Sequence, residues 1–251
     1  MSRAVKLGNR LVRVADDQPT FWDRVEAGLW EPGTLAILDE FVDARTTFLD
    51  LGAWVGPTAF HAAARARRVL AVEADPAALD QLRRNLAVNP DLSSRIEVVP
   101  KAVHPTPGPV SLGAKRKPGD SMSSVLLANG RKAWTVEGIT PAELAARLAG
   151  DGRIVLKLDV EGAEYALLPH LGPLLTPRTA AILVSFHPRI AREALGSSLP
   201  KALRAALRPL ARFSAQPIAA AGAGARSLEP ALVRLGLRRT LRGDEWLFSR
   251  T

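Results

Sequence analysis

Phe48-Leu49-Asp50-Leu51-Gly52-Ala53-Trp54-Val55-Gly56, followed after a helix-length interval by Val69-Leu70-Ala71-Val72-Glu73, decides the fold of this 251-residue chain. An apolar run ends on an acid, turns on two glycines and meets a second apolar run that also ends on an acid. That order predicts a parallel strand, helix, strand unit. Glycines 52 and 56 are expected to let the backbone approach a ligand that a Cβ would push away. Glu73 stands 21 positions after Gly52, where a carboxylate at a strand tip can accept hydrogen bonds from both hydroxyls of a ribose. An adenosine-containing ligand is the implied common part.

Two cofactor classes use this layout. A nicotinamide site carries three closely spaced glycines that bring helix N–H groups onto a pyrophosphate, whereas Trp54 stands where the middle glycine would be. S-adenosylmethionine has no phosphate and carries a sulfonium and an ammonium, so Asp50 beside the turn is an asset rather than a repulsion. The reading therefore favours S-adenosylmethionine over a nicotinamide dehydrogenase.

The chain is 47% hydrophobic, enough to bury the core of one α/β domain, residues 46–251, behind an N-terminal extension, residues 1–45. With no cysteine, disulfides, thiolate metal sites and cysteine nucleophiles are excluded, among them the covalent route to cytosine C5. No apolar run suits a signal sequence or a spanning helix, so a soluble, cytoplasmic protein is expected. The net charge of +9 invites a nucleic-acid partner. Eleven Lys or Arg against four Asp or Glu fall from Arg192 onward, however, and aromatics are only 5%, too few for a stacking surface on single strands. An RNA- or DNA-modifying enzyme is the disfavoured alternative, and a non-catalytic adenosylmethionine-binding module another. Oligomeric state is not readable.

In the extension, Trp22 and Trp30 stand eight apart before a helix expected over Thr34 to Val42, and Trp30 and Glu31 are the lid candidates. Asp75-Pro76 opens a helix with Leu79, Leu82 and Leu86 on one face. Ile96 to Val99 reads as the third strand and Val110 to Leu112 as a short further one. The stretch Gly113 to Ser124, with Lys115-Arg116-Lys117 and Ser123, reads as a surface loop that could close on a hydroxylated or anionic substrate. Pro141 to Leu148 is a helix. Ile154 to Leu158 is a buried strand that stops at Asp159-Val160-Glu161-Gly162-Ala163-Glu164, three carboxylates where parallel-sheet enzymes hold ligands. Ala180 to Phe186 ends on His187-Pro188, the one histidine of four at a strand terminus facing the presumed site. Leu199 to Phe213 forms a basic amphipathic segment that could pack on the sheet or touch anionic lipid, and Glu245 to Phe248 reads as a terminal antiparallel strand.

From about Phe21 to Pro188 the sequence resembles the FkbM-type methyltransferases. The resemblance rests on Phe48 to Thr58, on Glu73-Ala74-Asp75-Pro76 with Asn85, on Ser185-Phe186-His187-Pro188, and above all on Lys157-Leu158-Asp159-Val160-Glu161-Gly162-Ala163-Glu164. It implies a class I, Rossmann-like, seven-stranded and mostly parallel sheet with helices on both faces and the last strand antiparallel. It also implies methyl transfer from S-adenosylmethionine, usually to oxygen, on sugars, glycans or polyketide-like products. Trp54 departs from the commoner Asn at that place.

On this reading Asp50, Gly52, Ala53, Trp54, Gly56, Glu73 and Ala74 hold the cofactor, while Trp30, Glu31, Ser123 and Glu164 meet a small-molecule or glycan acceptor. Asp159, Glu161 and His187 are the catalytic candidates. In one version His187 takes the hydroxyl proton and Asp159 orients it. In another, Asp159, Glu161 and His187 gather a divalent ion, Mg or Mn, that lowers the acceptor's pKa.

Overall fold

A computed structural model of the chain describes residues 2–15, 17–128, 132–187, 190, 238–242 and 245–249. Strands β1 (Ser2–Leu7) and β2 (Arg10–Ala15) form a hairpin, followed by helices α1 (Pro19–Glu26) and α2 (Pro32–Phe41). Next come β3 (Thr46–Leu51), α3 (Pro57–Ala63), β4 (Arg68–Val72), α4 (Pro76–Ala87), the single-turn α5 (Pro90–Ser93) and β5 (Ile96–Val99). Four short strands follow: β6 (Ala102–Val103), β7 (Pro109–Ala114), β8 (Ser123–Ser124) and β9 (Ala133–Ile139). The rest comprises α6 (Pro141–Arg147), β10 (Arg153–Leu158), α7 (Glu164–Leu167), β11 (Thr179–Ser185), β12 (Arg238–Arg242) and β13 (Glu245–Ser249).

The main sheet has seven strands in the order β12, β13, β11, β10, β3, β4, β5. β13 runs antiparallel to β11 and β12, while β11, β10, β3, β4 and β5 are parallel to one another. This is the class I methyltransferase sheet expected from the sequence. Central parallel strands are covered on both faces, which is why every residue of β3 is buried. Phe48 joins the apolar cluster on one face with Phe60, Val69 and Leu82. Leu49 and Leu51 join the other with Leu70, Leu144, Leu156 and Leu158. Helix α4 starts where the Asp75 carboxylate caps Ala77 N and Ala78 N at 2.8 and 3.3 Å, a strong N-terminal signal ahead of a proline.

Two features exceed the expectation. The N-terminal hairpin packs Val5, Leu7, Val12 and Val14 into the same apolar cluster as Phe48. The short strands make a second sheet in the order β6, β9, β7, β8, of which only the β7 region was anticipated. No described helix is long and apolar enough to cross a membrane. The basic segment from Leu199 to Phe213, the Ala- and Gly-rich stretch 214–226 and Pro188 lie outside the described residues.

Candidate active site

A cavity of about 250 Å³ lies at the carboxyl ends of the central parallel strands. The turn after β3 lines it with Gly52, Ala53 and Trp54, and the tip of β4 with Glu73, Ala74 and Asp75. The tips of β10 and β11 add Lys157, Asp159, Glu161 and His187. Phe21, Trp30 and Glu31 of the N-terminal region, together with Asp120 and Ser121 of the loop before β8 and Ser123 of β8 itself, contribute further walls. Eleven of the expected site residues therefore share one cavity: Gly52, Ala53, Trp54, Glu73, Ala74, Asp159, Glu161, His187, Trp30, Glu31 and Ser123.

Three expected residues sit elsewhere, for physical reasons. Asp50 is fully buried within β3, accepts a hydrogen bond from Thr58 Oγ1 at 2.6 Å and does not line the cavity. Its register partner on β10 is Lys157, which lines the cavity where Asp50 does not. Gly56, also off the cavity, has φ +97°, and a Cβ there would come 2.6 Å from Leu82 Cδ1 and 2.7 Å from the Phe60 ring. Gly52, at φ +87°, would place a Cβ 1.8 Å from the Asp159 carbonyl oxygen. Both glycines thus allow close packing of protein on protein, and Gly52 also lines the cavity. Glu164 is wholly buried and lies behind the cavity.

At the β4 tip the Glu73 carboxylate accepts from the backbone N–H groups of Trp54, Ala74 and Asp75, each at 2.8 Å. Burial raises its pKa, and these three donors partly offset the shift. A carboxylate can accept about four hydrogen bonds, so capacity for a ribose hydroxyl remains.

The β10 and β11 tips form a dense charged cluster. Lys157, almost fully buried, places Nζ 2.5 Å from Asp159 Oδ2. His187 Nε2 stands 3.6 Å from Asp159 Oδ1 and 3.7 Å from Glu161 Oε2. Its other ring nitrogen, Nδ1, bonds Glu164 Oε1 at 3.0 Å. Glu164 also accepts from Val160 N and Gly162 N, both at 2.9 Å, and so fixes the turn that carries Glu161. Burial works against charge on His187, but the carboxylates of Glu164, Asp159 and Glu161 outweigh it and raise the imidazole to about 10. Burial pushes Glu161 up to about 8. Burial also opposes ionisation of Asp159, yet Lys157 and His187 hold its pKa below the usual value. The surrounding carboxylates thus favour a proton on both His187 nitrogens, Nδ1 toward Glu164 and Nε2 toward Asp159 and Glu161.

One carboxylate oxygen each of Asp159 and Glu161 and a ring nitrogen of His187 lie within 4.8 Å of one another. Two hard oxygens and one imidazole suit a small divalent cation such as Mn or Mg. The Nδ1 to Glu164 bond leaves Nε2 toward the two carboxylates, the arrangement by which a ligating histidine is commonly fixed.

Sequence reasoning passed over several participants. Lys157 sits in the quoted motif but reads as one polar residue in an apolar strand, and only the parallel register shows that it lies between Asp50 and Asp159. Asp75 reads as a helix cap, which it is, yet its Oδ2 also accepts from Gly119 N at 2.6 Å and Ser123 Oγ at 2.5 Å. That second role fastens the 115–124 loop to the β4 tip, so the loop is a wall of the cavity rather than a solvated excursion. Lys101 lines the cavity and pairs with Glu137 at 3.0 Å; nothing local in the sequence marks it.

Among solved structures, the chain is similar to a methyltransferase FkbM from Methylobacillus flagellatus KT, with 17% identity and a TM-score of 0.47 over 81% of this chain and 43% of that one. The chain thus spans less than half the length of that relative. It is also similar to a precorrin-6y C5,15-methyltransferase from Geobacter metallireducens GS-15, with 11% identity and a TM-score of 0.38 over 87% and 86% of the two chains. An rRNA methylase from Streptococcus thermophilus gives 14% identity and a TM-score of 0.36 over 67% and 78%. No curated protein resembles the chain closely enough to count as a match. The family model described as the methyltransferase FkbM domain matches residues 50–208, a span that takes in the glycine turn, Glu73, the Asp159 to Glu164 turn and His187, and the chain belongs to the FkbM methyltransferase family.

Proposed function

We propose that the protein transfers a methyl group from S-adenosylmethionine to a hydroxyl oxygen of a small acceptor, a sugar, glycan or polyketide-like molecule. The observation that carries this reading is that Glu73, suited to a ribose, and the Asp159, Glu161 and His187 set, suited to a hydroxyl, line a single cavity. Methyl transfer from a sulfonium is an in-line displacement in which the donor loses its positive charge and the acceptor loses a proton. The chain must align oxygen, carbon and sulfur and receive that proton. Asp159, held ionised by Lys157, is placed to accept it. His187 and Glu161 position the acceptor hydroxyl, and Lys157 stabilises the negative charge that develops there. Asp159, Glu161 and His187 would hold a divalent ion, which when bound supplies Lewis acidity that eases loss of the hydroxyl proton.

Calorimetric titration tests the cofactor half. S-adenosylhomocysteine should bind and NAD should not, and the Glu73→Ala variant should lose at least tenfold in affinity. Transfer of a labelled methyl group to a panel of sugars and polyols tests the acceptor half, run with and without a chelator and with RNA as a competing acceptor. Binding of NAD alone, or methylation of RNA alone, would overturn the reading, and undiminished turnover in chelator would remove the cation.

A further inference from the structure

Among the described residues, three that are not glycine hold a left-handed backbone: Glu31 (φ 39°), Trp54 (φ 49°) and Glu161 (φ 53°). All three line the one cavity. A left-handed setting is disfavoured for a bulky L side chain and tolerated by Asn, and such outliers gather where the surrounding structure needs a side chain in one place. Trp54 is the least expected of the three, and its surroundings show what the indole does there. Its backbone N–H donates to Glu73 Oε2 at 2.8 Å. Its ring stands edge-on to Phe21 at 4.5 Å, and Phe21 in turn meets Trp30 at 5.5 Å. Its Nε1 donates to the Gly119 carbonyl at 3.1 Å, which also accepts from Gln18 Nε2 at 3.1 Å.

One residue therefore touches three things at once: the carboxylate at the β4 tip, the aromatic wall contributed by residues 18–31, and the loop 115–124. We propose that Trp54 is a positioning residue that ties both walls to the cofactor, so that filling the Glu73 end orders the residues meant for the acceptor. The inference rests on the cofactor reading above. Glu73 is the carboxylate nearest the start of this chain of contacts, and a ligand hydroxyl that it accepts bears directly on the peptide of Trp54. From there the indole carries the constraint along two routes, by ring contact to Phe21 and Trp30 and by hydrogen bond to Gly119.

Hydrogen exchange followed by mass spectrometry on the full chain, with and without S-adenosylhomocysteine, tests this. In the unaltered protein the ligand should slow exchange at residues 54–58 and 73–78, and also several-fold at 19–31 and 115–124. Trp54→Asn accepts the left-handed backbone and keeps the N–H to Glu73. With ligand at saturation it should keep protection at 54–58 and 73–78 and lose most of it at both walls. Trp54→Phe keeps a ring against Phe21 but has no Nε1 donor, so protection should persist at 19–31 and fall at 115–124 to what the Asp75 bonds to Gly119 N and Ser123 Oγ sustain. Wall protection unchanged in both variants, with the Glu73 end still protected, would overturn the role of Trp54 alone. Failure of the ligand to protect 54–58 and 73–78 in the unaltered protein would overturn the cofactor reading and this inference together. If the Asn variant does not fold, the Phe variant decides: unchanged protection at 115–124 sinks the proposal.

Discussion

Gly52 shows how much one hydrogen atom in place of a methyl group can govern. Its φ of +87° and the 1.8 Å approach of a built Cβ to the Asp159 carbonyl leave no room for another residue. Gly52→Ala should cost about 3 kcal/mol or more, from left-handed strain and a backbone collision that no rotamer relieves. Urea unfolding measures it, and a loss under 1 kcal/mol would mean the two strand tips separate freely. Lys157 acts at the same scale by charge. Its ammonium and His187 hold Asp159 low against burial, so Lys157→Met should move the acid limb of the rate profile upward in pH, since Asp159 then protonates sooner. A profile with an unmoved acid limb would remove Asp159 from the proton-accepting role. Residue types alone disclosed the acids, the imidazole and the glycine turn. They did not disclose Lys157 as a site residue, because its importance comes from register with a strand more than a hundred positions earlier in the chain.

The hairpin of β1 and β2 was legible in principle. Val5 and Leu7, then Val12 and Val14, alternate with polar residues around Gly8-Asn9, a two-residue turn with a glycine at φ +60°. Yet short alternations of charge and apolar residues near a terminus resemble a solvated tail, and the pairing that proves otherwise is tertiary. That pairing is made by two asparagines of the α4 region. Asn85 Oδ1 accepts from Ala15 N at 2.8 Å and Nδ2 donates to Val55 O at 2.9 Å. Asn89 Oδ1 accepts from Arg13 N at 2.9 Å and Nδ2 donates to Arg13 O at 2.6 Å. Each amide satisfies backbone groups of an edge strand that would otherwise be stranded near the core. Asn89→Ala should therefore destabilise by about 2 kcal/mol, the cost of leaving buried donors and acceptors unpaired, and should raise hydrogen exchange in β2 before the central sheet. Exchange rising uniformly over the whole chain would show that the hairpin is not a separate unit of stability. The second sheet was half-seen for a related reason: β9 alternates exposure along its length, a weak pattern whose partner β7 lies across an intervening loop.

For the whole molecule, burial and charge set opposite limits on pH. His61 is 2% exposed, bonded to Asp39 at 3.1 Å, and its pKa is lowered because burial disfavours the imidazolium. The unfolded chain binds that proton more readily, so stability declines as pH falls below the ordinary histidine value of about 6.5. His187 has the reverse sign. Raised to about 10, it contributes stability that is complete below about 6.5 and is lost as pH rises through 10. Thermal melts across pH should show a broad maximum at neutral pH, and His61→Asn should flatten the acid side alone. An acid side unchanged by that substitution would assign acid unfolding to other groups. Of the global architecture, the acid, glycine, acid pattern predicts one parallel strand, helix, strand unit and the apolar run at the end a terminal strand, while the seven-stranded sheet is what the family resemblance implies. The lid candidates Trp30 and Glu31 and the 113–124 loop are marked in the sequence, but the bonds that seat the loop, from Trp54 Nε1 to the Gly119 carbonyl and from Gly119 N and Ser123 Oγ to Asp75, join distant segments and emerge only in three dimensions. The close seating of Gly52 on the Asp159 carbonyl has a practical corollary for redesign of the cavity. Because these two strand tips meet backbone to backbone, a new ligand preference is best sought by varying the aromatic and loop residues that form the other walls.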